Sequence, residues 1–179
     1  MSSTIEAVFV ADEQSAVAVD LLRWGRLARV VLAEERVPED AEMSVIFVDE
    51  QAITDLNERF LGGTGPTDVL AFPMDDDVVQ GGRQPDQGGR GPGAPAEPTD
   101  PPSVLGDVVV CPEVAQRQAT ERGSPVDDEL ALLVVHGVLH LLNYDHAEDR
   151  ESEAMQRRER ELLARFRQLE ERPDGDPGG

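Results

Sequence analysis

The sequence has no lysine, a single cysteine and a small share of basic residues. Its 179 residues include 37 acidic and 16 basic side chains, every basic one is arginine, and the formal net charge is −21. Such a balance disfavours a protein that simply coats polyanions, so any contact with nucleic acid must be local. The lone Cys111 excludes an internal disulfide and a cysteine-rich structural zinc cluster, which favours the reduced cytoplasm.

Long apolar runs are also missing. The N-terminus has neither the basic start nor the apolar stretch of a signal peptide, and no segment reaches the ~20 apolar residues that span a bilayer. We therefore expect an unexported protein without membrane contact. Residues 1–172 are predicted to form one domain, in which the Gly/Pro-rich segment 74–103 is a flexible insertion or, alternatively, a lid. Residues 173–179 are predicted to be a disordered tail.

Hydrophobic periodicity and turn residues predict an α+β fold, in which a small mixed four-stranded sheet packs with about five helices. The strands are expected at residues 5–10, 43–48, 67–72 and 104–111. The helices are expected at residues 13–35, 51–60, 112–122, 125–142 and 148–171. The fourth helix is predicted to begin with a Ser124 cap and Pro125 at its first position, and to stop at Asn143.

All three histidines fall within residues 136–146, at and just beyond the end of that apolar helix. His136 and His140 are four residues apart, so they share one face of a helix and can hold one ion, while a turn returns His146 to it. Neutral imidazoles suit zinc best among the available ions, and three ligands leave a fourth position open, as in catalytic sites. The spacing predicts a zinc site formed by His136, His140 and His146.

The same histidine spacing occurs in metzincin peptidases, whose pattern carries a glutamate directly after the first histidine. This chain has Gly137 at that position, so the general base for peptide hydrolysis is missing. A metallopeptidase is therefore the weaker interpretation.

Three segments carry a further signal, namely PTDVLAFP at 66–73, LGDVV at 105–109 and HGVLHLLNYDH at 136–146. They are similar to the elements P-T-D-V-L-S-F-P, L-G-D-I-x-I and H-G-x-L-H-L-x-G-Y-D-H of one family. The chain thus resembles the YbeY family of bacterial endoribonucleases, also called rRNA maturation factors, which implies a zinc-hydrolase-like fold. The chain departs from the family at Ala71, at Asn143 and in its longer insertion.

The resemblance implies a zinc-dependent, single-strand-specific endoribonuclease that acts in 16S rRNA 3′-end maturation and ribosome quality control. It implies one zinc ion per chain held by His136, His140 and His146, with His136 and Arg59 as catalytic residues. Some family members place that arginine two residues later, where this chain has Leu61. Implied partners are single-stranded rRNA, ribosomal proteins or the small ribosomal subunit, and a ribosome-associated GTPase. The alternative function is a ribosome-assembly factor with a mainly structural zinc.

The same interpretation assigns roles to further polar residues. Asp145 is expected to orient a ligating histidine or to cap the turn, and Asp68 and Asp107 to be structural. Arg23, Arg26 and Arg29 recur every three residues and could form a basic ridge for RNA, or else pair with nearby glutamates.

Overall fold

The computed structural model describes residues 8–74, 104–142 and 149–172 of the chain. In these ranges the chain forms four strands and five helices, which confirms the predicted α+β class. They are β1 (Val8–Asp12), α1 (Leu21–Glu34), β2 (Glu42–Phe47), α2 (Glu50–Phe60), β3 (Val69–Pro73), β4 (Val104–Val110), α3 (Pro112–Arg122), α4 (Val126–Leu141) and α5 (Asp149–Glu171).

The sheet is mixed and has the order β1-β2-β4-β3. Strands β1, β2 and β4 run parallel, whereas β3 pairs with β4 in the antiparallel direction. Among the described strands β3 therefore forms one edge of the sheet. Gly106 of β4 is opposite Pro73 and has φ +135°, and a Cβ there would lie 2.1 Å from the backbone oxygen of Phe72. Glycine is required at this close approach of the two strands.

Both faces of the sheet are covered because its strands alternate between two hydrophobic clusters. Val45, Val108 and Val110 belong to the larger cluster, which includes side chains of α1, α4 and α5. Val109 belongs to the smaller one, which includes Ile53 of α2. Alternation with a period of two places successive side chains on opposite faces. Helix α4 thus lies against the sheet in the larger core, where the histidine segment begins.

Two predicted helix starts were wrong. Helix α1 begins at Leu21 instead of residue 13, and the side chain of Asp20 caps it by accepting a hydrogen bond from the Arg23 backbone N–H. Helix α4 begins after Pro125, which occupies the N-cap position itself, so Ser124 makes no cap hydrogen bond. The predicted start was eight residues too early for α1 and one residue too early for α4.

Several predictions fall on residues outside the described ranges. These are most of the 74–103 insertion, the 173–179 tail, the Asn143 stop and the first residues of β1. Met74 is described, and its backbone N–H donates to the Leu105 oxygen at 3.1 Å, directly after β3. None of the helices in the described part of the chain is both long and apolar enough to span a membrane.

Candidate metal centre and active-site cavity

Helix α4 approaches the sheet closely because it has a glycine where it crosses β3 and β4. A Cβ at Gly137 would lie 2.4 Å from Val108 Cγ1 and 3.2 Å from Val69 Cγ2. No side chain fits at that distance without displacing the helix or the strand. Gly137 therefore sets how near the neighbouring His136 and His140 lie to edge strand β3.

The two histidine rings face each other across one turn of α4. Their Nε2 atoms are 2.9 Å apart, and the ring planes meet at 68° with centroids 4.4 Å apart. Two nitrogens bound tetrahedrally to one zinc ion at about 2.0–2.1 Å would be about 3.3 Å apart. The observed separation is close to that value, so the pair fits a shared ion with a small adjustment of the rings.

The histidines lie on the wall of a cavity of about 460 Å³ between α4 and β3. Its lining is formed by Leu61, Thr67, Asp68, Val69, Leu70, Ala71, Pro73, His136, Gly137 and His140. Polar groups are concentrated at the two histidines and at the residues preceding β3. A partly open cavity with convergent polar groups is the usual form of a ligand site.

Asp68 lines this cavity, but its carboxylate is engaged by protein groups. The oxygens accept hydrogen bonds from the Val69 backbone N–H at 2.8 Å and from Gln118 Nε2 at 3.2 Å. Thr67 Oγ1 is 3.4 Å away. Asp107 is opposite Phe72 in the β3–β4 pairing and does not line the cavity. Both positions are consistent with the structural roles expected for them.

A carboxylate that the sequence analysis did not select contacts the histidine pair. Glu159 of α5 is only 7% exposed, and its Oε1 lies 2.5 Å from His136 Nδ1. It is flanked along the helix by the buried side chains of Met155, Leu162 and Phe166. The signal in the sequence was a glutamate in the apolar stripe of an amphipathic helix, a position where charges are rare unless paired.

Arg59 does not line the cavity, whereas Leu61 does. The arginine is an exposed residue in the last turn of α2, and no carboxylate of the described residues lies within 4.0 Å of it. The loop that follows α2 is fixed by Asn57, whose Nδ2 donates to the Gly65 oxygen at 3.0 Å. Arg59 thus precedes the cavity-lining Leu61 by two residues in the chain, and its catalytic role stays a prediction.

The predicted basic ridge on α1 is not free to bind RNA at Arg23. Its guanidinium donates to both carboxylate oxygens of Glu170, at 2.7 and 3.0 Å, and to Asp127 at 3.0 Å. The hydrogen bond to Glu170 raises the pKa of Arg23. Arg29 lies within 3.5 Å of the Val8 backbone oxygen. Ion pairing, the alternative stated above, therefore describes Arg23, although its partners come from α4 and α5.

The third predicted ligand, His146, lies outside the described residues, as does Asp145. Among the described residues alone, no group of three or more His, Cys, Asp or Glu side chains could hold a metal ion. The two described histidines supply two imidazole donors, the ligand type that zinc accepts in catalytic sites. The two described histidines therefore fit the implied ion, and the role of His146 as the third ligand stays a prediction.

Comparison with known proteins decides the family. A sequence model described as Endoribonuclease YbeY matches residues 9–167 of the chain. The chain belongs to the endoribonuclease YbeY family. Membership of the YbeY family makes it an endoribonuclease that hydrolyses RNA phosphodiester bonds, and the nucleases of this family depend on metal.

Relatives of the YbeY family match over almost the whole chain. A protein named Endoribonuclease YbeY from Salinispora tropica is 48% identical over 166 residues, covering 93% of this chain and 99% of the relative. A protein of the same name from Thermobifida fusca is 47% identical over 166 residues, covering 92% and 97%. The solution structure of TM1509 from Thermotoga maritima has a TM-score of 0.56 at 26% identity, covering 96% of this chain and 99% of that one.

Proposed function

We propose that this YbeY-family protein is a zinc-dependent, single-strand-specific endoribonuclease that acts in 16S rRNA 3′-end maturation and ribosome quality control. The main support is the histidine pair, whose Nε2 atoms are 2.9 Å apart on the wall of a cavity beside an edge strand. The proposed compartment is the cytoplasm, which suits a chain whose single cysteine, Cys111, is buried.

One zinc ion per chain would be held by His136, His140 and His146. When bound, zinc would supply Lewis acidity toward a phosphoryl oxygen of the RNA. The protein itself contributes a fixed pair of ring nitrogens and a partly walled cavity that limits how the RNA strand can approach. Gly137 opposes the metallopeptidase alternative, because no glutamate fits beside Val108 at the position that peptidases use for their general base.

Arg59 is proposed to bind the scissile phosphate. A guanidinium offers forked donors that match phosphate, and charge that develops in the transition state is best stabilised by such a preorganised group. The absence of a carboxylate within 4.0 Å among the described residues leaves these donors available. The last turn of α2 fixes its backbone two residues before Leu61, which lines the cavity.

The proposed partners follow from the charge of the protein. A net charge of −21 opposes broad contact with rRNA but favours contact with basic protein surfaces. We propose that ribosomal proteins or the small ribosomal subunit bring the enzyme to single-stranded rRNA, and that a ribosome-associated GTPase is a further partner. Contact through such proteins would offset the repulsion between the RNA and the acidic surface.

The test is cleavage of an RNA that contains the 16S 3′ end, presented single-stranded or annealed to a complementary strand. Zinc-loaded native protein should cut the single strand only. His136→Ala should abolish cleavage, and Arg59→Ala should lower the rate constant by about 10²- to 10³-fold, the usual cost of losing one transition-state donor. Arg157→Ala, which removes an exposed arginine from α5, is the matched control and should retain full activity.

Equal cleavage by all of these preparations would identify a contaminant and refute the proposed site. Metal analysis of the native protein should find about one zinc per chain, and its absence would refute the ligand assignment. Zinc binding without RNA cleavage would instead support the assembly-factor alternative.

A further inference from the structure

Glu159 occupies a position in α5 where an apolar residue is expected. Met155, Leu162 and Phe166 are at most 4% exposed, and Glu159 is in the same stripe at 7%. Burying a carboxylate costs several kcal/mol unless another group compensates its charge and donates hydrogen bonds to its oxygens. A specific partner must therefore justify a glutamate here.

That partner is an imidazole, although arginines are close by in the sequence. Arg158 precedes Glu159 but donates to Glu35, and the other buried glutamate of the described residues, Glu129, pairs with Arg122. Glu159 instead contacts His136 Nδ1 at 2.5 Å. The chain thus uses arginine for structural pairing and keeps this carboxylate for a histidine ring.

The contact determines which ring nitrogen of His136 carries the proton. An ionised carboxylate only accepts hydrogen bonds, so Nδ1 must be the protonated nitrogen that donates to Glu159. In the neutral ring Nε2 then holds a lone pair, and this is the atom that lies 2.9 Å from His140 Nε2. The proton is held on the side of the ring away from the other histidine.

We propose that Glu159 is a positioning residue that selects the Nδ1–H tautomer of His136 and aims its Nε2 at the metal ion. The inference rests on the proposed function, because it requires that His136 be a metal ligand. A carboxylate behind a ligating histidine fixes the orientation of the ring and raises its basicity, and its loss weakens metal affinity by about 10- to 100-fold.

Two substitutions separate the acceptor from the charge. Glu159→Leu places an apolar side chain of similar size in the stripe and removes the hydrogen-bond acceptor. Glu159→Gln keeps an acceptor oxygen and removes the charge. The matched control is Glu161→Gln, because Glu161 is an exposed carboxylate on the same helix whose partner is Arg158.

The zinc dissociation constant is measured for each full-length protein by competition with a chromophoric chelator. The tautomer of His136 is measured in the metal-free proteins by long-range ¹H–¹⁵N NMR correlations. Glu159→Leu should weaken zinc binding by about 10- to 100-fold and give a mixture of tautomers. Glu159→Gln should be intermediate in affinity, and Glu161→Gln should match the native protein in both measurements.

Native zinc affinity in Glu159→Leu, together with an unchanged tautomer, would overturn the inference while leaving the proposed function intact. A native protein that binds no zinc would refute the metal site and, with it, this role of Glu159. Should the leucine variant fail to fold, native zinc affinity in Glu159→Gln together with a mixture of both His136 tautomers in the native protein would overturn the inference as well. A merely structural ion pair would alter the melting temperature without changing the tautomer.

Discussion

Replacing Gly137 by alanine tests how α4 is seated on the sheet. In an isolated helix this change is favourable by about 1 kcal/mol, because glycine is a poor helix former. In the folded protein the new Cβ would lie 2.4 Å from Val108 Cγ1, and Val108 is fully buried. The sign of the effect therefore depends on whether the core can move.

The expected result is a net loss of stability. Overpacking of a tightly packed core by one methyl group costs about 1–3 kcal/mol. The contact at Val108 is far inside van der Waals distance and involves a branched side chain, so the upper half of this range applies. After subtracting the gain in helix propensity, we expect the free energy of unfolding to fall by about 1–2 kcal/mol.

Urea denaturation measures this change, and a double-mutant cycle assigns its cause. Val108→Ala removes the methyl groups that the new Cβ would meet, so Gly137→Ala should cost less in that background than in the native one. The matched control is Gly25→Ala in α1, where the nearest atom would be Val10 Cγ2 at 3.1 Å, and its cost should be smaller. A Gly137→Ala protein as stable as the native one would refute the close packing described here.

Three further outcomes follow from the structure. Gly106→Ala should lower the free energy of unfolding by roughly 3 kcal/mol in urea titrations, because the positive φ and the contact of the new Cβ with the Phe72 backbone oxygen both destabilise the fold. The control is Gly62→Ala, where φ is +67° and no atom is near, and it should cost only about 1–2 kcal/mol. Burial raises the pKa of the Cys111 thiol above its ordinary 9.0. The unfolded chain therefore ionises first, and stability should fall as pH rises above 9.0 in a way that Cys111→Ala removes. Arg23→Ala should lower the free energy of unfolding by about 1 kcal/mol or less, which a slightly lower melting temperature would show. Its RNA affinity in filter binding should be unchanged. A weakened RNA affinity would support the basic ridge after all.

Much of the fold was predictable because the patterns that specify it are local. Alternating apolar residues located the strands, and α3 ends at its predicted last residue, Arg122, directly before Gly123, which has φ +67°. The start of α1 was not predictable from propensity, because several polar residues near 13–20 are compatible with a helix. Only the cap hydrogen bond of Asp20 distinguishes the true start.

The site was predictable only in part, for a related reason. The spacing of His136 and His140 along one helix indicated that the rings would meet, and they do. The partner of His136 is Glu159, which comes from another helix 23 residues later. The only sequence signal for it was a glutamate in an apolar stripe. The proposed role of Arg59 depends on the path of a loop, which hydrophobic periodicity does not describe.

The contact between Glu159 and His136 also sets an order of events during synthesis. Glu159 follows His136 by 23 residues, so the histidine helix leaves the ribosome well before the helix that fixes its ring. Until α5 has emerged and packed, His136 lacks the acceptor that orders it, and Met155, Leu162 and Phe166 cannot yet cover the core. The nascent protein therefore acquires its ordered histidine pair only after α5 has been synthesised.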